Sequence, residues 1–210
     1  MGFSMRYRSS LIDQITFNGD GSIKNITMTR TGVKRAGNLD PYVLNEAETI
    51  GVMGGVFTRA DSEAGNGMVV TAIDSGDWVC VYNVDFGSGG AKKFTARVRT
   101  PDTTEAYVGA IELRLDPYNE GEQSPNSNLT GVKTATIKDG EVIGRLKFEA
   151  KPGEAGQYRT VTIDLFKTVK GEHDLVFVFY SSLGAKPITA DTMLESQHKN
   201  GFEFDQWQFF

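Results

Sequence analysis

Two glutamates in the segment Asn45 to Thr49 (NEAET) are the first residues in this chain whose type and spacing could do chemistry. Side chains alternate along an extended strand, so Glu46 and Glu48 project from the same face. Like charges that close repel unless a cation neutralises them, and calcium takes six to eight hard oxygen ligands. A solvated acidic strand surface is the plain alternative, and the spacing alone leaves both open.

The aromatic residues form the second candidate set. The apolar face of a pyranose stacks on an exposed ring while nearby polar groups bond its hydroxyls. Trp78, Tyr82, Tyr107, Tyr118, Tyr158, Phe202 and Trp207 are the candidates. Trp78 and Tyr82 share parity with Cys80 and Val84, which predicts packing for Tyr82. Tyr158 begins a strand after the polar stretch KPGEAGQ, a loop-edge position where a ring can either stay exposed or pack.

Catalytic patterns are a poorer fit. His173 (in GEHDL) and His198 (in SQHKNG) lie in no metal or nucleophile motif, so both read as structural or loop residues. DFGSGGAKK lies between two strands and opens no helix, so it is a turn rather than a phosphate cradle. With 27 acidic residues a hydrolytic carboxylate pair has no distinguishing spacing. The single cysteine, Cys80, sits among apolar residues in DWVCVYNV; it excludes a disulfide framework and reads as a buried thiol.

A net charge of -5 without a basic run offers no footprint for nucleic acid or an anionic membrane. No apolar stretch approaches the roughly 18 to 20 residues needed to span a bilayer. The opening MGFSMRYRSS lacks the apolar centre of a signal peptide.

The elements that must position these residues are strands. Period-two alternation recurs between Gly, Asn, Asp and Ser clusters, and helical periodicity is almost absent. In KFTARVRT, Phe94, Ala96 and Val98 take one face while Thr95, Arg97 and Arg99 take the other; IELRL turns Ile111, Leu113 and Leu115 inward. LIDQITF, SIKNITM, GMVVTAI, DWVCVYNV, GVKTATI, GRLKFEA, YRTVTIDL, DLVFVFY and FEFDQWQF are further strands, and so many short ones predict a sandwich or barrel. DLVFVFY is apolar on both faces and belongs in the middle of a sheet.

The first part, to about Ala36, reads as a hairpin around the turn NGDGS. VKRAGNLDP is the linker candidate, and DPYNEGEQSPNS is a long polar loop.

The ordered set LNEAETI, AIDSGDWVCVYNVDFGSGGAKKFTARVRTP, GAIELRLD, GQYRTVTIDL, GEHDLVFVFY and FEFDQWQF resembles the family 6 carbohydrate-binding modules. The resemblance covers roughly Leu39 to Phe210, with IDSGDW and FDQWQF the most specific pieces. It implies an all-β fold, a β-sandwich jelly roll with an extra N-terminal β-hairpin, and a structural calcium ion held by Glu46 and Glu48 with Asp205. The segment RSSLIDQITFNGDGSIKNITMTRTGV resembles the end of a glycoside hydrolase family 43 propeller. The resemblance thus implies two parts, a hydrolase remnant over 1–36 and a binding module over 37–210. The catalytic carboxylates of that hydrolase family come from earlier blades, so this chain is expected to lack them.

For the ligand site the resemblance implies an edge cleft between two rings. Here the first ring position reads Ala72, the second Tyr158, and the hydroxyl-binding asparagine position Glu203. Half the sandwich is missing; Phe57 is the one aromatic in the stretch between Val52 and Met68 that could replace it. A second cleft, on a sheet face, uses the tryptophan of GDW, here Trp78.

The expectation is a non-catalytic module that attaches a secreted plant cell-wall hydrolase to xylan or arabinoxylan, with that enzyme's catalytic domain as its other partner. The alternative is a module without glycan affinity that braces its catalytic neighbour.

Overall fold

The computed structural model describes residues 15–25, 37–117, 140–154, 156–184 and 200–210. The chain divides into two compact units, Met1–Gly37 and Asn38–Phe210. In the first unit the expected turn forms. Phe17 bridges Ile23 in antiparallel fashion, the Asn18 N–H donates to the Ser22 carbonyl at 2.8 Å, and the Asp20 carboxylate accepts from the Ser22 N–H at 2.9 Å. Gly21 takes a φ of 81°, which only a residue without Cβ adopts readily.

The second unit is all β among the described residues. Its strands are β1 (Asn45–Glu46), β2 (Val52–Gly54), β3 (Phe57–Ala60), β4 (Met68–Thr71), β5 (Trp78–Asp85), β6 (Ala91–Arg99), β7 (Tyr107–Leu115), β8 (Glu141–Ala150), β9 (Tyr158–Val169), β10 (Glu172–Ser181) and β11 (Glu203–Phe209). They form a β-sandwich of two antiparallel sheets. One has the order β3-β4-β11-β6-β9 with β1 also on β11, and the other has β2-β5-β10-β7-β8.

The alternation of β6 and β7 holds. Phe94, Ala96 and Val98 are buried between the sheets, as are Ile111, Leu113 and Leu115. The core is dense in rings: Phe177 lies 5.3 Å from Phe204 and 5.4 Å from Trp207, and Phe94 lies 4.9 Å from Phe209. Offset and edge-on ring pairs of this kind add about 0.5–1.5 kcal/mol each beyond area burial. β10 is central in its sheet, as its two-sided apolar pattern requires: Leu175, Phe177 and Phe179 enter the main core, and Val176 and Val178 face outward onto Cys80.

Three expectations need correction. The stretch between Val52 and Met68 is not a plain loop, since β2 and β3 lie in it; strands of three and four residues are too short to show a period. β9 continues past YRTVTIDL to Val169, because alternation persists through Phe166. The parity shared by Trp78, Cys80, Tyr82 and Val84 breaks at Asn83, whose φ is 56°. A register irregularity lies opposite, between His173 and Leu175. Val84 thereby joins the main core, while Trp78 and Tyr82 pack with Cys80 on the outer face. GVKTATI, Tyr118, His198 and most of the expected polar loop lie outside the described residues.

Candidate functional site

The acidic pair sits where β1 meets β11, with Glu46 opposite Gln206. Glu46 Oε1 accepts a hydrogen bond from Gln206 Nε2 at 3.0 Å. Its Oε2 and both oxygens of Glu48 are buried without a hydrogen-bond partner. Burial raises the pKa of Glu46; the charges of Glu48 and Asp205 add to the rise, and Gln206 and Arg97 oppose it. Buried anionic oxygens that lack donors carry a large desolvation cost, and a cation is what would offset it. The glutamate pair therefore fits a calcium ion.

Asp205 is close enough to act on Glu46, but its carboxylate is engaged. Oδ1 accepts from the Gly65 N–H at 3.0 Å, and Oδ2 is paired with Arg97. Among the described residues no three acidic, histidine or cysteine side chains form a ready metal cage. A Cβ at Gly65 would lie 1.8 Å from the Gln206 amide nitrogen, so a larger residue there would displace the amide that bonds Glu46.

Tyr158 and Glu203 come together on the outer face of the six-stranded sheet. Both stand opposite Arg99 in the registers of β9 and β11 with β6. Glu203 is paired with Arg59 and Arg99, and Asp61 with the same two arginines. The Tyr158 hydroxyl donates to Asp61 at 3.2 Å and to Glu203 at 3.4 Å. The guanidinium carbons of Arg97 and Arg99 lie 4.2 and 4.5 Å from its ring centroid. The ring is thus already used as a cation–π partner, and burial beside Glu203 drives its hydroxyl pKa upward. Burial pushes the Asp61 pKa up, but the Glu63 N–H and Arg99 outweigh it, so its carboxyl is held below the usual range.

A cavity of 460 Å³ opens at this edge, lined among others by Arg59, Arg99, Asp102, Asn200, Phe202 and Glu203. It offers polar side chains and no free aromatic face, since Phe202 is buried. Ala72 is also buried, with a φ of 57° that a bulky side chain would strain. Phe57, half-buried on β3, pairs with Thr71.

Trp78 lies elsewhere, on the outer face of the five-stranded sheet. It stands opposite Gly54 on β2 and Val178 on β10, and its indole lies across Gly54, where a Cβ would come 2.5 Å from Nε1. Gly51 serves Tyr82 in the same way, a Cβ there reaching 2.4 Å from the ring. Both rings are half-buried, seated on backbone with one side turned outward. Cys80 between them is buried, and its thiol is pushed up to about 12, chiefly by burial.

Two strands further along the same face, Ala110, Glu112, Arg145 and Tyr180 line a hollow of 380 Å³. Glu112 is paired with Arg114 and Arg145. Burial alone would raise its pKa, but the hydrogen bonds from the two arginines lower it. Tyr180 is 42% exposed.

The remaining candidates have structural roles. His173 Nδ1 lies 2.6 Å from Asp116 Oδ2 and Nε2 2.8 Å from the Lys170 carbonyl, fixing a corner of the sheet. Tyr107, Phe202 and Trp207 are core. IDSGDW is a knotted turn in which the Asp74 N–H donates to Asp77 Oδ2 at 2.8 Å and Ser75 Oγ to the Ser181 carbonyl at 2.9 Å. Sequence reasoning placed Arg97 and Arg99 on one outward face but gave them no role. Arg59, Asp61, Glu112, Arg145 and Tyr180 went unnoticed, because their meaning lies in pairing across strands, which spacing along the chain does not display.

Comparison with known proteins agrees with this architecture. The family described as carbohydrate binding module (family 6) matches residues 46–191. An arabinoxylan arabinofuranohydrolase of Bacillus subtilis (strain 168) is 32% identical over 99% of this chain and 33% of its own length. One from Paenibacillus polymyxa is 40% identical over 55% of this chain and 18% of its own. This chain therefore spans a third or less of the length of these curated relatives.

Among solved structures, a glycoside hydrolase family 43 arabinoxylan arabinofuranohydrolase from Bacillus subtilis, in complex with cellotetraose, superposes with a TM-score of 0.60 at 32% identity, over 94% of this chain and 33% of that one. A family 6 carbohydrate-binding module from Clostridium cellulolyticum in complex with xylose superposes with a TM-score of 0.55 at 26% identity, over 82% of this chain and 99% of that one.

Proposed function

We propose that this chain, which belongs to the family 6 carbohydrate-binding modules, holds a secreted plant cell-wall hydrolase on xylan or arabinoxylan through the outer face of its five-stranded sheet. The observation that carries this reading is the seat of Trp78. Its ring rests on Gly54 with one side outward, on the same face as the hollow lined by Glu112, Arg145 and Tyr180. An apolar ring beside polar side chains is what a sugar's two chemistries require.

The substrate class draws support from the arabinoxylan-acting relatives and from the xylose complex of a similar module. Binding to so shallow a face is expected in the roughly millimolar to micromolar range. The edge cavity lined by Glu203 is the weaker alternative, because it presents no free aromatic face and Glu203 and the neighbouring Tyr158 are already committed to arginines.

Calcium in this reading is structural. Glu46 and Glu48 would hold it, and it would neutralise oxygens that no donor reaches. Catalysis would belong to a neighbouring domain, to which the N-terminal hairpin would be the join.

Affinity electrophoresis through gels containing arabinoxylan, xylan or mixed-linkage β-glucan tests the reading, with wild type beside Trp78→Ala and Tyr158→Ala. Retardation in the xylan-type gels that is lost in Trp78→Ala supports it. Free migration of wild type in every gel refutes it and favours a module that only braces its catalytic neighbour. Loss in Tyr158→Ala alone moves the site to the edge cavity.

A further inference from the structure

We infer that Arg97 competes with the cation for Asp205 and so sets how tightly the glutamate pair holds it; this rests on the calcium reading given above. The Asp205 side chain is 0% exposed, so its charge must be compensated from inside the protein. Two groups do so: the Gly65 N–H on Oδ1 and the Arg97 guanidinium on Oδ2. Arg97 stands opposite Gln206 in the register of β6 with β11, and Gln206 stands opposite Glu46 and donates to it at 3.0 Å, so arginine and glutamate lie in one row across the face. A divalent cation seated on the open oxygens of Glu46 and Glu48 meets a fixed positive charge there, and the carboxylate it needs next is the one Arg97 occupies.

Arg97 has somewhere else to go. Its second terminal nitrogen donates to the Glu63 carbonyl at 3.0 Å, its guanidinium lies over Tyr158, and its side chain is 29% exposed. Releasing Asp205 therefore leaves the arginine with two partners and access to water. Asp205 has no such choice, since a buried carboxylate must keep a positive partner. The two cations are alternatives at one carboxylate. Arg97 serves the metal-free fold, and the metal takes over where it is present.

The same arginine joins this site to the charged face, because Tyr158 bonds Asp61 and Glu203 through its hydroxyl.

Calcium titration of the chelator-treated full chain by calorimetry, with melting temperatures measured with and without calcium, tests this on wild type, Arg97→Met and Arg97→Lys. Arg97→Met should bind calcium on the order of tenfold more tightly, as expected for removing one nearby positive charge. It should also melt lower than wild type without metal and gain more on adding calcium. Arg97→Lys keeps the charge, and its affinity should stay within about threefold of wild type.

If Arg97→Met does not fold without metal, Arg97→Gln, which can still donate one hydrogen bond to Asp205, carries the same measurement. Unchanged or weaker calcium binding in the neutral variants overturns the competition and makes Arg97 a support for Asp205. Absence of calcium binding by wild type, with no difference from Glu48→Gln, overturns the calcium reading itself and this inference with it.

Discussion

The two outer faces of the sandwich use the same strand alternation to opposite ends. On the six-stranded sheet, Arg59, Arg97 and Arg99 are paired with Asp61, Glu203 and Asp205, and one of its aromatics, Tyr158, is held beneath two guanidiniums. On the five-stranded sheet, Trp78 and Tyr82 rest on glycines and Tyr180 is partly exposed, with ion pairs around Glu112 and between Lys147 and Glu149. A ring is available to a ligand when backbone fills its underside and part of it stays exposed, as at Trp78. It is unavailable when charged neighbours have claimed it. Counting aromatic residues does not separate the two cases, whereas the residue beneath each ring does.

The sharpest break of this comparison should come from Arg99→Met. Removing the guanidinium shared by Asp61 and Glu203 leaves two largely buried carboxylates with less compensation. Stability should fall by about 3 kcal/mol, as when one partner of a buried pair is deleted. Urea unfolding measures the loss, and gel retardation by xylan should be unaffected.

Trp78→Ala should do the reverse. It should weaken glycan binding by about thirtyfold, the effect of losing an aromatic anchor worth about 2 kcal/mol, and calorimetric titration with xylo-oligosaccharides reads it. Comparable weakening in Arg99→Met would erase the distinction between the faces.

Gly54→Ala is the finer probe. The added Cβ would meet the indole 2.5 Å from Nε1, so the ring must lift from its seat. Near-ultraviolet circular dichroism should change and affinity should drop by about fivefold, on the order of 1 kcal/mol.

Acid should act on both faces with the same sign. Asp61 and Glu112 both have folded-state pKa values below their usual ones. Each therefore stabilises the fold above the unfolded carboxylate pKa of roughly 4 and loses that contribution as pH falls through the folded value. In Glu112→Gln, stability from urea unfolding should be lower than wild type at pH 7, by about 1 kcal/mol after allowing for the exposure of Arg145. The two should converge near pH 2. A constant gap across that range would mean that Glu112 acts through packing instead.

Glu46 has the opposite sign. Its raised pKa means that the charged form burdens the metal-free fold at neutral pH, a burden relieved as pH falls. Glu46→Gln should therefore raise the melting temperature of the chelated protein, while calcium should stabilise it less than wild type. Melting curves at pH 7 with chelator and with calcium give both answers.

The fold was readable wherever alternation ran long enough to be seen. KFTARVRT and IELRL assigned every inward residue of β6 and β7 they contain, and DLVFVFY announced a central strand. β2 and β3 escaped because three or four residues show no period. For the site, the residues named from sequence fall into three separate groups, Glu46 with Glu48 and Asp205, Tyr158 with Glu203, and Trp78 alone. The resemblance carried by GDW pointed to Trp78, but the glycine beneath it is a cross-strand fact. Tyr158 had the loop-edge position expected of an exposed ring; what removed it from that role was Arg97 and Arg99, two residues whose outward direction was visible and whose partner was not. The engagement of Asp205 by Arg97 likewise joins positions far apart in sequence.

Asn83, in its left-handed conformation, makes β5 two strands in one. Before it, even-numbered residues look outward; after it, Val84 and Phe86 belong to the core. Before the joint the odd-numbered Val79 and Val81 fill the core while Trp78 and Tyr82 pack on the outer face against their glycine neighbours and Cys80; beyond it the core-facing set is even-numbered. Side chains at 78 and 82 can be exchanged for other ligands while the packing that begins at 84 stays as it is.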